Sequence, residues 1–311
     1  MKHSNPTSSA RGNQYGRTMV ELMISLVLGL VVLGAVMNTV ASNGAGGRTA
    51  NGVSKLNEDA QVALNLVSSH LRMGGFSLPR INGIPGLRAT NYNGMPIRGC
   101  DSRFANPTTP NQEVLACAGF NQPNAVAVAY EADQFNSLTL VPGQPTDCLG
   151  QALAAQASPF AGNFFLAQNR FWIRTNAGQP ELVCAGGGDN FATPQVMMRN
   201  VEDMRLTYGV GDMVTGPFGN TILEGRVRDY LTAAQLDAHP VYGLEPAADR
   251  WRRVSSVRVC LQLRSDDNMA DAPTPYVDCF GAVITPADRR LRVAVTTTIN
   301  LRNTTDAGLG T

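Results

Sequence analysis

Residues 16–41 read GRTMVELMISLVLGLVVLGAVMNTVA. From Leu22 to Ala41, twenty successive residues carry no charge. As a helix rising 1.5 Å per residue they span roughly 30 Å, the thickness of a bilayer's hydrocarbon core. Lys2, Arg11 and Arg17 precede the run, with no acid before Glu21. The positive-inside rule therefore predicts a cytoplasmic N-terminus, with the chain beyond Ala41 on the other side. No second apolar run of comparable length follows, so a single crossing is expected. The acid at the mouth of the run, Glu21, needs its own explanation.

Three readings compete for this segment. The apolar part of a secretory signal peptide is about 7–15 residues long; this run is longer and carries an acid at its edge. A plain signal anchor fits the length. Thr18-Met19-Val20-Glu21 also fits the S/T-x-x-E capping box, and an acid in the first turn suits the helix dipole. Capping accounts for a tolerated glutamate. It does not account for Gly16, or for the polar, basic leader of residues 1–16.

Gly16-Arg17-Thr18-Met19-Val20-Glu21-Leu22, followed by an unbroken apolar helix, resembles the class III signal of type IV prepilins. The resemblance implies that a prepilin peptidase cuts between Gly16 and Arg17 on the cytoplasmic side and methylates the new N-terminus at Arg17. Glu21 then becomes the fifth mature residue. The sequence departs from the family at Arg17, where phenylalanine is usual. A carboxylate in a bilayer or a dry filament core costs several kcal/mol unless paired. Cleavage creates a positive amine, and a neighbouring subunit shifted along a filament can bring its amine to this carboxylate. Glu21 is thus expected to set assembly register.

Ser42-Asn43-Gly44-Ala45-Gly46-Gly47 predicts a glycine-rich break or hinge. Val53, Leu56, Ala60, Ala63, Leu64, Val67 and Leu71 then recur at helical spacing, with Lys55, Asn57, Glu58, Asp59 and Gln61 elsewhere. This predicts an amphipathic helix packed by one face on a domain, capped by Gly74-Gly75. A membrane-surface helix would need a Lys/Arg-rich polar face, which is missing. Beyond Phe76 the pattern is β-rich. Short strands are predicted at Ala125–Tyr130 and Ser137–Val141, with an apolar, aromatic stretch from Phe164 to Arg174 around Trp172. Val201–Val210 alternates in part. Val254–Leu263 and Leu291–Leu301 alternate with period two, as antiparallel strands with one covered face do. Thr232–Leu236 reads as a short helix. No βαβ alternation is visible, so the fold class is α+β: a long N-terminal helix on an antiparallel β-rich domain. The expected segments are 1–16 leader, 17–41 membrane or filament-core helix, 42–76 glycine hinge and amphipathic helix, and 77–311 extracytoplasmic domain.

Five later stretches narrow the resemblance. They are Val126–Glu131 leading to Thr146-Asp147-Cys148-Leu149-Gly150, then Val201–Gly209, Val257–Leu261, and Arg289–Asn303. In that order they look like the PilW-type minor pilins of type IV pilus systems, which are similar in fold to J-type minor pseudopilins of type II secretion. The resemblance implies a subunit that primes pilus assembly near the tip. It implies other minor pilins, the major pilin, a large tip adhesin, the inner-membrane assembly platform and the prepilin peptidase as partners. It places the chain in the inner membrane with a periplasmic C-terminus, then on the pilus at the cell surface. A J-type pseudopilin is the neighbouring alternative; a signal-anchored periplasmic enzyme or binding protein is the more distant one.

The whole chain sets wider limits. Its 311 residues are 43% hydrophobic and 16% charged, enough to bury a core. The formal charge of +1 argues against a dedicated nucleic-acid binder. It becomes −1 once residues 1–16, with Lys2 and Arg11, are removed, so bulk charge selects no partner. In an oxidising periplasm six cysteines pair, with fifteen possible connectivities. Sequence neighbours are favoured: Cys100 with Cys117, Cys148 with Cys184, Cys260 with Cys279. Zinc is disfavoured, since no CxxC occurs and His70 and His239 lie far from any pair. Gly186-Gly187-Gly188-Asp189 lacks the setting of a phosphate loop. Ser265-Asp266-Asp267-Asn268-Met269-Ala270-Asp271 offers oxygens from Asp266, Asp267 and Asp271 for calcium, without the EF-hand pattern; a solvated loop is the plainer reading. Arg250, Arg252, Arg253 and Arg258, and Arg289, Arg290 and Arg292, form two basic clusters that would suit an acidic partner or the wet end of a sheet. No Ser/His/Asp or Cys/His arrangement is recognisable, and no enzyme is expected.

Overall fold

In a computed structural model of the protein, residues 18–81, 88–160, 162–215 and 221–303 are described. The expected cleavage site at Gly16 and Arg17 lies outside them. The chain divides into two compact units between Ala50 and Asn51.

Helix α1 runs from Met19 to Met73. Thr18 caps it: the Glu21 N–H donates to the Thr18 carbonyl at 3.0 Å and to Thr18 Oγ1 at 3.4 Å. The return bond of a capping box, from the Glu21 carboxylate to the Thr18 amide, is not formed among the described residues. Ser25 and Thr39 fold their hydroxyls onto the carbonyls of Glu21 and Ala35, which satisfies both polar groups inside an apolar segment. The expected break at Ser42–Gly47 is not found; the backbone there is helical. Each glycine costs about 1 kcal/mol against alanine in a helix, but propagating an existing helix is far easier than nucleating a second.

From Asn51 onward α1 is one-sided. Leu56, Ala60, Ala63, Leu64, Val67 and Leu71 are buried, while Val53 is exposed. Gly52 takes its place on the packed face, close against Met269 and Leu291, where a Cβ would collide with the Met269 thioether. Gly75, at φ +75°, stops the helix, and the Phe76 N–H bonds back to the Met73 carbonyl at 2.8 Å.

Two antiparallel sheets receive this helix. The first holds β1 (Ile97–Cys100), β2 (Ala125–Ala132), β3 (Asn163–Asn176), β4 (Gln179–Gly186) and β5 (Gln195–Arg199), in the order β5-β4-β3-β2-β1; Ala155–Ala157 adds to the start of β3. The second holds β6 (Val201–Val210), β7 (Asp229–Leu231), β8 (Val254–Arg264) and β9 (Arg292–Asn300), in the order β7-β6-β8-β9. Asn200, at φ +62°, turns the chain from β5 into β6 and so from one sheet to the other. Asparagine tolerates this left-handed geometry better than most residues. Register aligns the core: Phe171 lies opposite Val126 and Cys184, and Leu261 lies opposite Met204 and Val295. The α1 stripe joins Val126, Val128, Phe171 and Leu182 of the first sheet and Met204, Leu206, Val257 and Leu261 of the second in one core.

Strand β2 is buried on both faces, which explains its unbroken Ala/Val run. One face meets the core; the other meets a second cluster of Cys100, Phe104, Leu115, Ala125 and Ala127 under the 101–117 loop. Strand β8 departs from the expectation of one covered face: from Val254 to Leu263 only Arg258 is exposed. A hairpin of Tyr276–Val277 and Val283–Ile284 is tied to β8 through Cys260–Cys279, and Gln262 donates to the Tyr276 hydroxyl at 3.1 Å. Helix α2 (Ala233–Asp237) has a complete capping box between Thr232 and Gln235. Helix α3 (Ala247–Arg252) carries no apolar periodicity that would announce it.

Candidate assembly segment and the domain that carries it

Met19–Val40 is the one helix among the described residues long and apolar enough to cross a membrane. Its side chains are exposed all round, Leu22, Leu26, Val31 and Val40 among them. A helix apolar on every face finds no buried environment within its own unit, so lipid or other apolar helices must supply one. Glu21 is its only charged residue, and the carboxylate has no hydrogen bond or ion pair among the described residues.

The domain that follows is held by three disulfides and by buried charge. Cys100 joins Cys117, Cys148 joins Cys184, and Cys260 joins Cys279, the same neighbours favoured from chain order. Every cysteine is so used, and among the described residues no cluster of His, Cys, Asp or Glu suits a metal ion. His239 is a local turn element: its Nδ1 accepts from the Val241 and Tyr242 amides at 3.2 Å, and its ring stacks on Tyr242. His70, on the last turn of α1, packs against Phe171 and meets Tyr130 Oη at 3.4 Å and Asn169 Nδ2 at 3.3 Å. Burial pushes its imidazole down to about 4.

The glycine triplet is structural. Gly186 leaves room for the Asp147 carboxylate, and the Gly188 amide donates to that carboxylate at 2.9 Å, alongside the amides of Leu149 and Gln151. The 265–271 loop does not gather its acids. Arg290 donates to the Ser265 and Asp266 carbonyls, and Asp266 accepts from Asn200 Nδ2 at 3.0 Å. A guanidinium of the chain itself therefore occupies oxygens that a cation would use.

The basic clusters are largely neutralised within the fold. Asp237 receives Arg98 at 2.7 Å, Arg250 at 3.3 Å and the Trp251 indole N–H at 3.0 Å, and Arg98 also lies over the Trp251 ring. Arg253 pairs with Glu245, Arg252 with Asp249, and Arg258 lies over Tyr230. Arg292 bridges Glu202 and Asp288, and holds the Asp288 carboxyl down to about 2. Two charged residues stand out only in three dimensions. Asp237 is the hub just described. Arg170, buried in β3, points at the carbonyls of Pro107, Thr109 and Pro110 and over the Phe191 ring. A buried arginine without a carboxylate leaves no periodic signal in sequence.

Residues 170–303 match the family model PilW, Type IV Pilus-assembly protein W. This segment is PilW-like. It begins inside β3 and takes in β4, β5 and the whole second sheet, with Cys184 and the Cys260–Cys279 bond. A type IV-like pilin from Thermus thermophilus is similar in structure, at 10% identity and a TM-score of 0.38, covering 80% of this chain and 98% of that chain. A comparison with curated proteins gives no match. Over residues 170–303 the chain is thus similar to proteins of type IV pilus assembly. Its N-terminal apolar helix is compatible with a single-pass anchor in such a system.

Proposed function

We propose that the chain is a minor pilin that primes assembly of a type IV pilus and sits at or near its tip. It is made as a precursor, cut between Gly16 and Arg17 and methylated at Arg17. It waits in the inner membrane with its C-terminal domain in the periplasm and then enters the pilus. Other minor pilins, the major pilin, a tip adhesin and the assembly platform are its partners. The chain is a structural subunit rather than an enzyme. One observation carries this reading beyond the family match: an all-round apolar helix bears a single acid, Glu21, without a partner among the described residues. A neighbour's new N-terminal amine answers that acid, since an unpaired carboxylate is costly away from water.

The mature N-terminus, read by mass spectrometry from membranes with and without the prepilin peptidase, tests the processing on which this reading rests. A start at Arg17 that depends on the peptidase is expected. A start at Met1, or beyond Ala41, overturns the proposal.

A further inference from the structure

A cleft of about 650 Å³ lies outside the assembly segment, on the face of the first sheet away from α1. The 103–107 part of the Cys100–Cys117 loop, the Gln122–Pro123 turn, the Trp172–Thr175 end of β3 and Glu202 of β6 enclose it. Trp172 packs from one side on the Cys100–Phe104–Leu115 cluster, so the disulfide-closed loop fixes its ring.

The free groups in the cleft are mostly donors. Arg103 is exposed and makes no hydrogen bond or ion pair among the described residues. The Trp172 indole N–H and the Gln122 side-chain amide, which both donates and accepts, make no hydrogen bond among the described residues. The one carboxylate, Glu202, is already held by Arg292 at 2.8 Å, Gln262 at 3.0 Å and Arg264 at 3.6 Å. Arg174 is paired with Glu181. The local balance is positive, since among the described residues Arg174 and Glu202 are paired and Arg103 is not. A neutral sugar leaves the Arg103 charge without a counter-charge; a carboxylate supplies one and matches the guanidinium fork.

We propose that this cleft binds an acidic side chain of an extended peptide from a partner protein, with the carboxylate on Arg103 and apolar neighbours against Trp172. The volume far exceeds what a carboxylate needs, and the walls offer aromatic and proline surface to residues flanking the acid. A free small acid gains only the ion pair, which in water does little to offset the freedom lost on binding. The inference rests on the cleft's own geometry and does not depend on the pilus reading.

The test uses the full chain in nanodiscs with acetyl-Pro-Val-Glu-Val-Pro-amide, its Gln counterpart, and glutarate. Of the two tryptophans, Trp251 is fully buried, so a shifted indole N–H resonance reports Trp172. The Glu peptide is expected to shift that resonance. Binding should weaken about tenfold or more with the Gln peptide, with glutarate, or in Arg103→Gln. The Gln peptide needs no variant, so the comparison survives even a misfolded one. No binding of the Glu peptide, equal binding of the Gln peptide, glutarate binding as tightly, or undiminished binding by a folded Arg103→Gln protein each overturns the proposal.

Discussion

Glu21 and Asp237 are both carboxylates, and their surroundings give them opposite tasks. Glu21 is exposed and has no partner among the described residues; Asp237 has three donors, the buried Arg98, the half-buried Arg250 and the Trp251 indole. Glu21→Ala is therefore expected to leave insertion and processing intact but to reduce the amount of protein in sheared pili, measured by immunoblot. Unchanged incorporation would refute the register role. Asp237→Ala is expected to act on stability. It removes the counter-charge of the buried Arg98 and the half-buried Arg250; with the Asp237 carboxylate itself partly exposed, the loss is expected to be about 1–3 kcal/mol. Urea unfolding of the full chain in detergent, followed through Trp251, reads the loss. Glu21 stands out in sequence because an uncharged run of twenty residues follows it. Asp237 does not, because Arg98 lies 139 positions away.

At the scale of elements, alternation and helical spacing foretold α1 beyond Asn51 and the strands β2, β6, β8 and β9. They failed where a glycine or a covering loop changed the outcome. Val53 was expected on the packed face, but Gly52 allows the closer approach to Met269 and Leu291. Strand β8 was expected to show one wet face, but the Cys279 hairpin covers it. That hairpin leaves Phe280 and Val283 exposed and depends on its tether. Replacing Cys260 and Cys279 together by serine removes a 19-residue closure and is expected to destabilise the domain by about 3 kcal/mol in the chain-entropy model. The hairpin's amides should then exchange hydrogen faster than the rest of β8. Unaltered exchange there would mean that Gln262 and Tyr276 hold it alone.

For the molecule as a whole, the response to acid follows from His70. Its imidazole titrates near 4 when folded, against 6.5 when free. The unfolded chain therefore takes up this proton first as pH falls. The stabilisation is complete above pH 6.5 and is lost progressively between 6.5 and about 4, to a total of about 3 kcal/mol. Denaturant unfolding of the wild type and His70→Gln at pH 7 and 4.5 checks this; the wild type should lose more stability between the two than the variant. Equal losses would show that the carboxylates alone govern acid stability.

Local sequence determined the membrane-length helix, the α+β class, the amphipathic stripe and the principal strands. Each depends on the period of apolar residues along a few turns or a single strand, and that period is written in neighbours. It also marked Glu21, since one acid at the mouth of twenty uncharged residues is conspicuous without any fold. Only the tertiary structure decided the hub at Asp237, the buried Arg170, the glycine triplet around Asp147, and the cleft of Arg103 and Trp172. These are meetings of residues far apart in the chain, made when two sheets and a disulfide-closed loop come together. Charge and burial there belong to the packed core, and no stretch of sequence contains them.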